Sequence, residues 1–260
     1  MASMRVLVLG GTTEASDLTR LLAAHRRFET TVSLAGRTAN PRVQPVRTRV
    51  GGFGGSDGLA AWLTQEKMLA VIDATHPYAD QISSNAVAAC TRLAIPLASI
   101  VRPPWQAQPA DNWLTVASAE AAADALGPQP RRVFLTLGRL ELGAFARAPQ
   151  HHYVARTIDP PGDVALPPDI SLLRSRGPFD LKAETELLER EKIEVVVSKN
   201  SGGAATYPKI EAARNLGLAV VMVARPNKLR GEGIENAEGA VVWLEKLLAH
   251  RATPASARGV

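Results

Sequence analysis

Four short blocks of this 260-residue chain hold residue types that can do chemistry at the spacing chemistry needs. The first is Gly10-Gly11-Thr12-Thr13-Glu14-Ala15, which follows the apolar run Arg5–Leu9 and precedes a helix-like stretch. Glycine lets a backbone approach a pyrophosphate, and free N–H groups at a helix N-terminus stabilise its charge. Against the dinucleotide fingerprint G-x-G-x-x-G/A, Gly10 and Ala15 match and Thr12 replaces the middle glycine. Alone, such a glycine pair is equally a tight turn. The second apolar run ends in Ser33-Leu34-Ala35-Gly36-Arg37-Thr38, without the carboxylate that usually meets ribose hydroxyls. An arginine beside a hydroxyl suits a 2′-phosphate, since guanidinium and phosphate pair by charge-assisted hydrogen bonds. A solvated surface arginine is the bland alternative. The missing carboxylate tips the reading toward NADP(H).

The fourth run ends in Asp73-Ala74-Thr75-His76-Pro77-Tyr78-Ala79. Ligands of open parallel sheets sit beyond the carboxyl ends of strands, where this block falls. His76 can donate a proton or a hydrogen bond there, or simply start a helix. After Val195–Ser198 comes Lys199-Asn200-Ser201-Gly202-Gly203-Ala204, a cationic, donor-rich pocket for an anion, or else a capped turn. Arg139 and Arg225 follow two further runs at corresponding edges, and such arginines suit a polycarboxylate. Gly51-Gly52-Phe53-Gly54-Gly55 is either a flexible loop or backbone brought close to a ligand.

The elements that must position these blocks are short Val/Ile/Leu-rich runs alternating with amphipathic stretches. Strands are expected at 5–9, 31–35, 48–51, 70–74 and 97–101, with helices at 14–25, 57–66 and 79–93 between them. Ser56 or Asp57 is the expected N-cap of the second helix. Beyond the break lie strands at 133–137, 153–156, 171–174, 195–198 and 219–224, and helices at 181–192, 204–216 and 237–250. Continuous apolar strands separated by helices mean parallel sheets buried on both faces. The break, Arg102 to Pro109, holds three prolines in eight residues. The expectation is an α/β protein of two Rossmann-like lobes with a ligand cleft between them: residues 1–102 and 113–250, a linker at 103–112 and a loose tail at 251–260.

Composition excludes several classes. Lys+Arg number 30 and Asp+Glu 25, a net +5, with +3 in residues 1–112 and +2 in the rest. Nucleic-acid binders concentrate charge on one face or stripe, so no nucleic-acid partner is expected. Apolar runs such as Leu218–Ala224 are far short of the ~18 residues needed to span a bilayer. No membrane partner is expected either. The single cysteine, Cys90, cannot form an internal disulfide or a multi-thiolate site, and it reads as a small core residue. With no long apolar signal core at the start, a reducing cytoplasm is expected, no metal site, and a monomer by default. The adjacent His151-His152 reads as an exposed turn. There is no P-loop, nucleophile elbow or H-E-x-x-H helix.

Gly10 to Glu14, Asp73 to Ala79, Val101-Arg102-Pro103 and Ser198 to Gly203 together resemble the precorrin-6A reductase family of cobalamin biosynthesis. Lys209-Ile210-Glu211-Ala212-Ala213-Arg214 and Ala224-Arg225-Pro226 are similar to its carboxyl-terminal signature. The resemblance runs in order from about Met4 to about Leu248. It implies an NADPH-dependent oxidoreductase that reduces precorrin-6A to precorrin-6B by hydride transfer, on a two-lobed α/β fold with cofactor and macrocycle in the cleft. Carried over by motif, Gly10, Gly11, Thr12 and Thr13 would face the pyrophosphate, and Arg37 with Thr38 the 2′-phosphate. Thr75 would lie near the nicotinamide with His76 and Tyr78, which join Lys199 as the catalytic candidates. Lys199, Asn200, Ser201, Gly202 and Gly203 would meet the tetrapyrrole or the cofactor, with Arg102, Arg139 and Arg225 toward substrate carboxylates. Because a conjugated macrocycle delocalises charge, no single residue is expected to be an indispensable acid. The alternatives are a cobalt-precorrin-6A reductase, a non-catalytic two-lobed binder and a glycosyltransferase-like fold, since fold alone assigns no function.

Overall fold

Strand runs such as Met-Arg-Val-Leu-Val-Leu, apolar on both faces, can satisfy burial only inside a sheet covered on both sides. The computed structural model describes residues 3–36 and 42–252. The chain divides into two units, one formed by residues up to Arg102 together with those from Pro226 onward, the other by Pro103–Arg225. Both crossings fall at an Arg-Pro dipeptide, where the residue before proline is held extended.

The first unit contains, in order, β1 Met4–Leu9, α1 Thr13–Ala23, β2 Phe28–Leu34, β3 Arg47–Val50, α2 Gly55–Gln65, β4 Ala70–Asp73, α3 Asp80–Leu93 and β5 Leu97–Ile100. The second contains β6 Asn112–Val116, α4 Ala119–Ala125, β7 Arg132–Thr136, a 3-10 helix at Arg139–Arg147, β8 His152–Thr157, β9 Ile170–Arg174, α5 Leu181–Arg190, β10 Val195–Lys199, α6 Pro208–Asn215 and β11 Ala219–Val223. The chain then returns with β12 Glu232–Ile234 and α7 Ala237–Ala252.

Both sheets are six-stranded and parallel, in the orders β12-β5-β4-β1-β2-β3 and β6-β11-β10-β7-β8-β9. Each runs outward in both directions from a central pair, so strand order reverses between β1 and β4 in one and between β7 and β10 in the other. On the first sheet α1 and α7 cover one face through Leu18, Leu22, Ala240 and Leu244. Leu59, Leu63, Ala86 and Ala89 of α2 and α3 cover the other. Each fully buried leucine in these layers contributes about 1.5–3 kcal/mol by leaving water.

Several expectations are corrected. The segment 226–250 does not complete the second lobe: β12 pairs with β5, and α7 packs its small apolar face on the first core. Residues 103–112 are not a free linker, because Trp105 is bonded into the second unit and β6 begins at Asn112. Helix α2 starts at Gly55, so Ser56 and Asp57 lie inside its first turn, Gly54 caps it without a side chain, and Asp57 pairs with Arg92 at 2.7 Å. The expected helix 204–216 splits into a 3-10 turn at Ala204–Thr206 and α6, with Pro208 at the first position, where its missing N–H costs nothing. His151 is buried rather than exposed, edge-on to Tyr153 at 5.9 Å, and burial lowers its pKa. His152 opens β8 and meets Asp169 at 2.7 Å, an acidic companion the sequence did not disclose.

Candidate functional site

The carboxyl ends of β1 and β4 lie side by side at the first sheet's reversal point, with Leu9 opposite Asp73. Beyond them stand two of the blocks singled out by their residue types. Gly10 donates to Ser33 O at 2.9 Å, and a Cβ there would lie 2.9 Å from Val32 Cγ2, so any other residue would have to push the Val32 side chain of β2 aside. Gly11 has φ +114° and open space where a side chain would stand. Thr12 caps α1: its hydroxyl accepts from Ala15 N at 3.2 Å and donates to Ala74 O at 2.7 Å. One side chain thus closes the helix end and clasps the loop after β4. Thr13 opens α1, and Glu14 in its first turn pairs with Arg102 at 3.1 Å.

Asp73 ends β4 fully buried. Its Oδ1 accepts from Thr75 N at 3.0 Å and Thr75 Oγ1 at 2.6 Å; its Oδ2 accepts from Ser83 Oγ and faces Lys228 Nζ at 3.4 Å. Lys228 also donates to Thr75 Oγ1 at 2.8 Å and to the His76 carbonyl at 3.4 Å. Burial pulls the ammonium below the ordinary lysine value, with the Asp73 carboxylate opposing. His76 Nδ1 accepts from Tyr78 N at 3.3 Å, which leaves the proton of a neutral ring on Nε2, and the two rings lie 5.5 Å apart. The structure therefore brings Gly10 to Thr13 together with Thr75, His76 and Tyr78. It adds Lys228, which sequence reasoning missed; the only signal was a lysine in an aperiodic stretch after β11. Arg37 and Thr38 lie outside the described residues.

In the second unit Lys199 ends β10 and pairs with Glu141 at 2.5 Å; the same carboxylate oxygen accepts from Gly138 N at 2.8 Å. Arg139, half-buried, donates to Pro160 O at 3.2 Å. The Asn200 amide accepts from Trp105 N at 2.7 Å and donates to Trp105 O at 2.9 Å, as a strand neighbour would. Arg225 donates to Asn200 O at 2.7 Å and Pro103 O at 3.1 Å. Gly202 sits beneath them with φ +71°; a Cβ would lie 2.1 Å from Pro103 O. Ser201 Oγ meets Thr206 Oγ1 at 3.1 Å, and Gly203 caps the 3-10 turn. This block is a folded turn that fastens Pro103 to Trp105. A second missed cation, Lys209, is pushed down to about 7 by burial, donates to Thr206 O at 2.8 Å and lies 5.1 Å from the Trp105 ring. The buried Arg156–Glu184 pair, bonded at 2.9 and 2.6 Å, acts on its charge in both directions.

The donor set of the first unit suits a dinucleotide. A helix of eleven residues presents its N-terminus behind a glycine whose open, left-handed backbone admits a phosphate. Among the described residues, no group of three or more His, Cys, Asp and Glu side chains could hold a metal ion, and no helix is long and apolar enough to cross a membrane.

Residues 5–245 match the family model described as Precorrin-6x reductase CbiJ/CobK. A precorrin-6A reductase of Rhodobacter capsulatus is 48% identical over 256 residues, covering 98% of this chain and 99% of its own. One of Sinorhizobium sp is 50% identical over 225 residues, 86% of each chain. A solved CobK precorrin-6A reductase shares 48% identity at a TM-score of 0.89, covering 99% of this chain and 100% of that one. A cobalt-precorrin-6A reductase of Priestia megaterium is 27% identical over 234 residues, 85% of this chain and 90% of its own.

Proposed function

The chain belongs to the precorrin-6x reductase CbiJ/CobK family, and from that premise we propose that it reduces precorrin-6A to precorrin-6B with NADPH in the cytoplasm. The observation that carries this reading is the Thr12–Ala74 clasp, which joins the glycine loop to the Thr75-His76 segment at the reversal point of the first sheet. The higher identity to relatives named for the metal-free substrate favours precorrin-6A over its cobalt form.

Bound NADPH supplies the hydride. Gly11 to Thr13 hold the pyrophosphate with backbone N–H groups, Gly10, whose own N–H is bonded to Ser33 O, lets the loop lie close to it, and Arg37 with Thr38 take the 2′-phosphate. Lys228 and Asp73 keep the Thr75-His76 backbone in one position, so that Thr75, His76 and Tyr78 orient the nicotinamide end. Fixing that geometry before reaction removes much of the entropic barrier. In the second unit, Lys199 and Arg139 offer charge to the acetate and propionate groups of the macrocycle. Lys199 does so in exchange with Glu141. Arg102 does so in exchange with Glu14. Asn200, Arg225, Ser201, Gly202 and Gly203 serve by shaping the turn that carries Lys199. No residue need act as an indispensable acid, since the conjugated ring spreads the developing charge.

Titration with NADPH and NADH, read by tryptophan fluorescence, followed by an absorbance assay on precorrin-6A, tests the proposal. Selective NADPH binding and conversion of precorrin-6A are expected. Binding without turnover would favour a non-catalytic binder, and nucleotide-sugar binding a transferase.

A further inference from the structure

Arg49, the third residue of β3, stands opposite Ser33 at the carboxyl end of β2. Its Nη1 donates to Ser33 Oγ at 3.2 Å and to Gly51 O at 2.5 Å, and its Nη2 donates to Gly52 O at 2.6 Å. The guanidinium lies 3.7 Å above the centre of the Phe53 ring, which is itself set edge-on against Trp62 at 5.4 Å. A half-buried cation is normally matched to a carboxylate. Arg47, two residues earlier, pairs with Glu66 at 2.7 Å, and Arg5 pairs with Glu29 at 3.0 Å. Arg49 pairs with no carboxylate among the described residues, and burial lowers its pKa with nothing opposing. Carbonyl oxygens and a ring face hold the group in place, while Nε–H and the second Nη2 hydrogen have no partner among the described residues.

A guanidinium so fixed, without a counter-ion, is a preorganised receptor for an anion. Its place selects the anion. In a sheet of this strand order the carboxyl end of β2 is where the adenosine ribose lies, and an arginine there accommodates a 2′-phosphate. We propose that Arg49, stacked on Phe53 and braced by Ser33, Gly51 and Gly52, binds the 2′-phosphate of NADPH alongside Arg37 and contributes to the preference for NADPH over NADH. This rests on the proposed NADPH reading. It also gives the four-glycine stretch a purpose: carbonyls of Gly51 and Gly52 turn inward to hold the cation.

The experiment measures dissociation constants of NADPH, NADH and 2′,5′-ADP for the wild-type chain and for Arg49→Gln and Arg49→Lys. A charge-assisted hydrogen bond to phosphate corresponds to about a 10- to 100-fold effect. Arg49→Gln should weaken NADPH and 2′,5′-ADP by that factor and NADH by less than about threefold; Arg49→Lys should fall between. The NADPH/NADH ratio is internal to each variant, so a destabilised fraction cancels, and the Lys variant carries the test if Gln fails to fold. Equal loss for both nucleotides, or no loss for either, overturns the assignment and leaves Arg49 a loop brace. A wild-type chain that binds neither NADPH nor 2′,5′-ADP overturns the cofactor reading as well, a failure distinguishable because it needs no variant.

Discussion

Replacing Lys228 by methionine keeps the length of the side chain and removes the ammonium that faces the Asp73 carboxylate. Both side chains are buried, at 7% and 1% exposure, so solvent cannot take over the lost partner. Breaking a buried pair by deleting one member costs about 3–5 kcal/mol, because a charge is left uncompensated. Asp73 retains three donors, Thr75 N, Thr75 Oγ1 and Ser83 Oγ, which places the expected cost at the low end, about 3 kcal/mol. Urea unfolding of wild type, Lys228→Met, Asp73→Asn and the double variant measures it. If the unpaired carboxylate is the cause, adding Asp73→Asn to Lys228→Met restores most of the loss. A cost below about 1 kcal/mol for Lys228→Met, or additive losses in the double variant, would refute the reasoning. Because Lys228 also holds Thr75 Oγ1 and the His76 carbonyl, kcat/KM for NADPH should fall on the order of tenfold to a hundredfold.

Lys209→Met should flatten the dependence of stability on pH. In the folded chain the amine releases its proton near pH 7, whereas an unfolded lysine keeps it until about 10.5, so unfolding takes up a proton between these values. Wild-type stability therefore rises with pH across that window, by at most about 1.4 kcal/mol per pH unit, and urea titrations of the variant should lose that slope. Gly202→Ala should cost more than Gly217→Ala: both have φ near +70°, but only Gly202 has Pro103 O where the methyl must go, whereas Gly217 faces open space. The left-handed backbone alone costs about 1–2 kcal/mol, and any excess at Gly202 measures the clash; equal losses would show that the Pro103 segment yields. Arg37→Ala should weaken NADPH far more than NADH in the fluorescence titration, and equal loss would mean that Arg37 does not reach the 2′-phosphate and leave that group to Arg49.

What could be seen in the sequence follows from what burial demands of each residue. β1, β4, β10 and β11 are covered on both faces, so nearly every position must be apolar and the runs stand out. β6 and β12 are edge strands: Asn112-Trp113-Leu114-Thr115-Val116 leaves Leu114 half exposed, and Glu232-Gly233-Ile234 is three residues long. Neither needs an apolar run, and neither shows one. The return of the chain to the first unit was hidden for the same reason, since among the described residues its one strand there is β12. At the site, glycine and threonine beyond β1 and the Thr-His-Pro-Tyr segment beyond β4 were legible because backbone approach and helix capping demand particular residue types. Lys228 was not, because its meaning comes from Thr75, 153 residues away, and no local pattern distinguishes it from a solvated lysine. Asn200 and Arg225 illustrate the converse: polar types at a strand end invite a ligand reading, yet a bare main chain also needs partners, and Pro103 to Trp105 has no regular strand to pair with. Side-chain chemistry alone cannot tell a donor that meets a ligand from one that meets the protein's own backbone. The carboxylate balance around a cation can, which is why Arg49, one arginine among many in the sequence, is distinguished once the partners of its neighbours are known.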